Sequence, residues 1–178
     1  MSRFDVTPAP GLDPVAAAVW NVLDFGRPRL LKQIEGLTPE QLAARPPGFR
    51  NSLATLVCHV AGAEINFAHA LLGKEVPQEL KDEFWMGRDG EYLRQAQGET
   101  VESLTAKLEK ARAMLQEALA TVRASDLDRV IRQPNGVEYT VRWLLALIAY
   151  HASVHIGQMQ MLRQHLEARR SSKEDLRG

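Results

Sequence analysis

Leu144-Leu-Ala-Leu-Ile-Ala-Tyr-His151-Ala-Ser-Val-His155-Ile-Gly-Gln158 is the stretch on which the fold turns. Thr140 precedes it as a helix N-cap, and from Val141 to Ala149 the chain is apolar on nearly every face except at Arg142. This predicts a long helix whose first half is the most buried element. Residues four apart on a helix stand nearly above one another, about 6 Å apart, so His151 and His155 can present their imidazoles to one ion. Their face also carries Leu144, Leu147, Ile148 and Gln158, which aims the pair into a helical bundle. Ala152-Ser153-Val154 lies between them, so the glutamate of a metalloprotease His-Glu-x-x-His helix is absent.

Working outward, Ser52 caps a helix carrying Leu53, Leu56, Val57, Val60, Ile65, Phe67, Ala68 and Leu72, closed by Gly73, with His59 in its second turn. Asp13-Pro14 opens a first helix whose apolar positions recur from Val15 to Ile34, with a bend expected near Gly26-Arg27-Pro28. Thr38 and Gln41 form a capping-box pattern for a short connecting helix that Pro46-Pro47-Gly48 ends. Between Lys74 and Gly98 the pattern is irregular, and we expect a loop with one helical turn around Phe84-Trp85-Met86. From Thr100, Val101, Leu104, Leu108, Ala111, Leu115, Ala118, Leu119 and Val122 form the stripe of another long helix. Asn135-Gly136 marks a small hairpin before the last helix. Four long helices bury such stripes most simply as an all-α four-helix bundle: one domain over 1–168, followed by a charged, flexible tail over 169–178.

Composition bounds the function. The 178 residues hold 22 basic and 22 acidic side chains, and no run of Lys or Arg is long enough to track a phosphate backbone, so nucleic acid is not an expected partner. The amino-terminal residues lack an apolar leader, and Trp143 to Tyr150 is too short to cross a bilayer. We therefore expect no membrane association and a cytoplasmic protein. Cys58 is the sole cysteine, which excludes an intrachain disulfide and a thiolate-rich zinc site.

Histidine is left as the metal-seeking residue. If the second and fourth long helices are neighbours, His59 joins His151 and His155 in a site of three neutral ligands with coordination positions open, suited to Zn²⁺ or Ni²⁺ acting on a bound water or thiol. A His-x₃-His pair on its own is more often structural, and the third histidine is what shifts the balance. His69 and His165 fall away from the cluster and read as surface or rim residues. Cys58 reads as a small core residue. Glu64, five residues beyond His59 and off its face, is a weak candidate for a base or outer contact of the site, and a residue so placed is more often a plain helix-surface or helix-pairing carboxylate. Gln158 is a candidate to hydrogen-bond a metal-bound water, and equally a packing amide. Tyr150, Trp85 and Trp143 could line a pocket, but aromatics on helices are normally core, and no role is assigned to them.

Ser52 through Glu64 and Leu144 through Gln158, with Leu37-Thr-Pro-Glu-Gln-Leu42 and the Asn135-Gly136 turn, resemble the two histidine motifs and connecting segments of the DinB/YfiT-like superfamily. The resemblance covers nearly the whole chain. It implies a four-helix bundle with a three-histidine divalent-metal site at His59, His151 and His155, zinc or nickel as the metal, and a homodimer. It further implies a metal-dependent S-transferase that joins a low-molecular-weight thiol to a small electrophile. A non-catalytic, stress-associated metal-binding bundle, a metal-dependent hydrolase, and a bundle acting through a partner surface remain alternatives. The sequence reads neither substrate nor metal identity.

Overall fold

The structure, a computed structural model, describes residues 9–133 and 136–175. Four long helices form the bundle: α1 (Pro14–Lys32), α3 (Leu53–Leu71), α5 (Val101–Ala120) and α6 (Val141–Asp175). Two short helices, α2 (Pro39–Ala43) and α4 (Gln78–Glu83), lie in the connections. Local chemistry sets the starts. Asp13 accepts from the Val15 amide, Ser52 from Thr55, and Thr140 from Trp143, while Thr38 with Gln41 and Thr100 with Ser103 close capping boxes. Gly73 follows α3 at φ +65°, where a side chain would be strained. α1 continues through Pro28 as one helix. Among the described residues no helix is long and apolar enough to cross a membrane.

Contacts between helices give the topology. α1 and α6 run the same way, since Gly26 faces Ile156 and Arg163 reaches the carbonyls of Gln33 and Glu35 further along both. α3 and α5 also run parallel: Thr55 holds the Ala96 amide just before α5, and Glu64 meets Arg112. The α3–α6 pair is antiparallel, with His59 beside His155 and the later Phe67 beside the earlier His151. Parallel neighbours cannot be joined by a tight turn, so residues 72–100 must travel back along the bundle, roughly 28 Å for a 19-residue helix.

That crossover differs from expectation. Its helical turn is α4, ending before Phe84 instead of centred on it, and a two-residue ladder follows, β1 (Arg88–Asp89) against β2 (Tyr92–Leu93), turning at Gly90. The hairpin before α6 is present as β3 (Val130–Arg132) paired with β4 (Glu138–Thr140). Gly136 has φ +83°, as its turn requires, while Asn135 lies outside the described residues.

Burial also departs from the sequence reading. The most buried element is α3, not the first half of α6: from Ser52 to Leu71 every residue is buried except His59, Ala63 and Asn66. α6 instead keeps Trp143, Ala146 and Tyr150 exposed. α3 is enclosed by α5, α6, α2 and the crossover, whereas α6 packs on α1 and α3 and leaves its outer face uncovered.

Candidate metal centre

His59, on the narrow uncovered strip of α3, meets His151 and His155 on the facing turns of α6. Their ring centroids lie 4.4 to 4.9 Å apart, and one nitrogen from each can be chosen so that all three lie within 4.8 Å of one another. The Nε2 atoms of His59 and His151 are 3.1 Å apart. Two imidazole nitrogens bound tetrahedrally at the usual zinc distance stand about 3.3 Å apart, so this spacing fits a small divalent ion. Phe67 packs edge-on against the His151 ring and fixes its plane.

The rings are also held in the protonation state a ligand needs. Burial, reinforced by the neighbouring His155 and by Arg88, pushes His59 down to about 4; burial with His155 and His59 pushes His151 down to about 3. Burial lowers His155 as well, against the opposing bond from Gln158. That bond sets a tautomer: Gln158 Oε1 is an acceptor, so His155 Nδ1, 2.8 Å away, is the donor, and Nε2 keeps its lone pair for a metal. Gln158 therefore orients a histidine.

A chamber of about 330 Å³ adjoins His59 and His151. Phe67 and Leu147 line its bundle side, and the crossover roofs it with Trp85, Met86, Arg88 and Arg94. Gly62 makes room for the roof, since a Cβ there would lie 2.9 Å from Met86 Cγ. Trp85 has φ +52°, a left-handed backbone costly for a bulky residue. It is held by its indole N–H, which donates to Glu99 Oε1 at 2.8 Å, and by the Arg94 guanidinium over its ring. Glu99 in turn accepts from Ser103 at 2.6 Å and Lys107 at 2.7 Å, tying the roof to α5. Sequence reasoning allowed Trp85 a pocket-lining place but missed Met86, Arg88 and Arg94, whose available signal was the density of Trp, Met and Arg in an irregular connection too long for a turn.

The remaining candidates lie elsewhere. Glu64 is 3% exposed, and both its oxygens face guanidinium groups: Arg112 Nη2 at 2.8 Å from Oε1 and Arg27 Nη2 at 3.2 Å from Oε2. It links α1, α3 and α5. Cys58 is fully buried, its thiol pushed by burial up to about 12, so it offers no thiolate. His69, expected at the surface, is buried, with Nδ1 bonded to the Ile65 carbonyl; the end of α3 is enclosed too deeply for a rim residue. His165 packs against Phe49. Trp143 and Tyr150 are exposed, contrary to a core role.

Comparison with known proteins bears on the family and the fold. A family model described as mycothiol-S-transferase matches residues 18–168. An uncharacterised protein of Bacillus subtilis (strain 168), YuaE, is 31% identical over 61 residues, which span 34% of this chain and 38% of that protein. The crystal structure of a conserved protein from Enterococcus faecalis superposes with a TM-score of 0.68 at 18% identity, covering 86% of this chain and 98% of that one. At that identity the likeness is one of fold.

Proposed function

The chain belongs to the mycothiol S-transferase family, within the DinB/YfiT-like superfamily, and we propose that it joins a low-molecular-weight thiol to a small electrophile at a divalent ion held by His59, His151 and His155. The observation that carries this reading is the convergence of three neutral imidazoles from two helices, two of them, His59 and His151, on the wall of a largely apolar chamber. Such a ligand set leaves the ion its full double charge, and the chemistry it supplies when bound is Lewis acidity toward a thiol's sulfur. Zinc and nickel both suit three imidazoles.

The protein's own groups do the rest. Gln158 holds the His155 ring in its ligating tautomer. Phe67, Leu147, Trp85 and Met86 exclude water from the electrophile, and Glu99 keeps Trp85 in place. Arg88 adds positive potential beside His59, which favours an anionic sulfur. The net change breaks the thiol's S–H bond and the electrophile's carbon–leaving-group bond, forms one carbon–sulfur bond, and releases the proton with the leaving group, which is chloride for monochlorobimane.

The chain acts in this reading as a homodimer. Trp143, Ala146, Tyr150, Val154, Gly157 and Met161 form an exposed stripe along α6 at heptad-like spacing, on a different side from the histidines.

The test is elemental analysis of purified wild type, His59→Ala and His155→Ala, together with transfer of mycothiol to monochlorobimane followed by fluorescence. Near-stoichiometric zinc or nickel lost in both variants, with transfer lost alongside, is the expected result. Absence of metal from wild type even after reconstitution would overturn the reading. Bound metal without transfer would leave a non-catalytic metal-binding bundle.

A further inference from the structure

The small ladder in the roof sorts its side chains by face. β1 and β2 set Arg88 opposite Leu93 and Asp89 opposite Tyr92. Residues directly opposite in an antiparallel pair share a face, and successive residues alternate between faces. Arg88 and Leu93 accordingly line the chamber, whereas Asp89 and Tyr92 do not. The hairpin turns its cation toward the chamber and its carboxylate away.

Arg88 is steadied there without being neutralised. Its Nη1 donates to the Glu91 carbonyl at 3.1 Å, across the turn at Gly90. A guanidinium carries five N–H donors, and among the described residues this is its one hydrogen bond and no carboxylate pairs with it. The chamber's other cation, Arg94, is already committed, since its Nη1 meets Asp82 Oδ1 at 2.9 Å and its guanidinium lies over the Trp85 ring. No aspartate or glutamate lines the chamber. Arg88 thus puts an unanswered positive charge at the lip of a mostly apolar space, and its field reaches His59.

That combination selects an amphiphilic anion. The walls gain from burying a ring or a short hydrocarbon, while the guanidinium fork at the lip matches a carboxylate. A neutral ligand leaves the charge unanswered, and a cation is repelled. Mycothiol supplies no such anion, because its cysteine carboxyl is taken up in an amide.

We propose that the electrophile is anionic, a small molecule with a carboxylate on an apolar, ring-sized frame, and that Arg88 holds the carboxylate at the lip while the reactive carbon enters the chamber. The proposal rests on the transfer reading above for the reaction, but not for the binding of the anion. With a benzylic chloride the step breaks the thiol's S–H and the carbon–chlorine bond, forms one carbon–sulfur bond, and releases a proton and chloride.

The experiment uses the full chain as purified, with its metal. The ligands are the unreactive 4-methylbenzoate and 4-methylbenzamide, and the substrates are 4-(chloromethyl)benzoate and its amide. In the ¹⁵N-labelled protein, 4-methylbenzoate should shift Gly62, Asn66, Arg88 and Leu93 and should bind roughly fivefold more tightly than the amide. Arg88→Gln should erase that difference and Arg88→Glu should reverse it, with metal content unchanged. In turnover with mycothiol, the ratio of kcat/KM for acid over amide should fall roughly fivefold in Arg88→Gln. Any influence of Arg88 on the sulfur is common to both substrates and cancels in the ratio. The wild-type ratio should also shrink as salt rises, because a lip open to water is screened.

No preference for the anion in wild type, or a preference that survives in both Arg88 variants because the metal takes the carboxylate, would overturn the proposal, while transfer to monochlorobimane left the transfer reading standing. Arg88-dependent binding of 4-methylbenzoate without any turnover would overturn the transfer reading and keep the anion site.

Discussion

The Nε2 atoms of His59 and His151 stand 3.1 Å apart across 92 residues of sequence. Neutral imidazole nitrogens gain little from such closeness unless one donates to the other or both serve a third atom. Burial suppresses the proton that would otherwise push the rings apart. The spacing suits the shared ion proposed above, or a hydrogen bond from one ring to the other.

Gln158→Leu removes the acceptor that fixes His155. The ring is then free to rotate or to carry its proton on the ligating nitrogen, and metal affinity should fall about 10- to 100-fold. Competition with a zinc chelator measures this, and Gln158→Glu, which keeps an acceptor, should retain tight binding.

Glu64→Gln leaves the Arg27 and Arg112 guanidinium groups mostly buried without their countercharge. Breaking a buried pair from one side costs roughly 3–5 kcal/mol. Urea denaturation of the apoprotein should show a loss of that order, and elemental analysis should show unchanged metal. A loss of metal with stability intact would instead place Glu64 in the site.

Acid should loosen the roof. Burial raises the Glu99 carboxyl, but bonds from Lys107, Ser103 and Trp85 outweigh it and leave the group below its ordinary 4.5. A carboxyl depressed on folding contributes stability that is present above 4.5 and is lost as pH falls through the lower folded value. With Trp20 and Trp143 replaced by Phe, Trp85 emission should hold steady from neutral pH to about pH 5 and change below 4.5. Glu99→Gln should show the altered emission across the whole range.

Tyr150→Glu places a charge in the centre of the exposed α6 stripe. Sedimentation equilibrium should report a dimer for wild type and a monomer for the variant, with the metal retained. A wild-type monomer at every concentration would rule this interface out.

What the sequence disclosed was local. Asp13, Thr38, Ser52 and Thr140 cap the helices at which they were read because a cap depends only on the next two or three residues. The same holds for the four-residue spacing of His151 and His155, and the motif around His59 supplied the third ring. Glu64 was ambiguous because its partners lie 37 and 48 residues away. The outer face of α6 is ambiguous in the sequence, between core and a surplus surface for a second copy, because apolar side chains look alike whether a neighbouring helix or another molecule covers them. The roof stayed hidden for a different reason: where Trp85 and Arg88 fall depends on α3 and α5 running parallel, which no local pattern records.

The side-by-side pairing of the first and last helices bears on how the protein is made. Gly26 must find Ile156, and His59 must wait for His151 and His155, so the decisive contacts join distant parts of the chain. Long-range closure of this kind slows folding relative to helical bundles wired through near neighbours. On the ribosome, α3 emerges with its histidine long before the helix that completes the ligand set. With an ion bound as proposed, metal uptake would register the docking of α6 and would reward only finished chains. At a free concentration a thousandfold above its dissociation constant such an ion would add about 4 kcal/mol to the folded state. Scarcity of metal in the cell would then appear first as a shortage of mature protein.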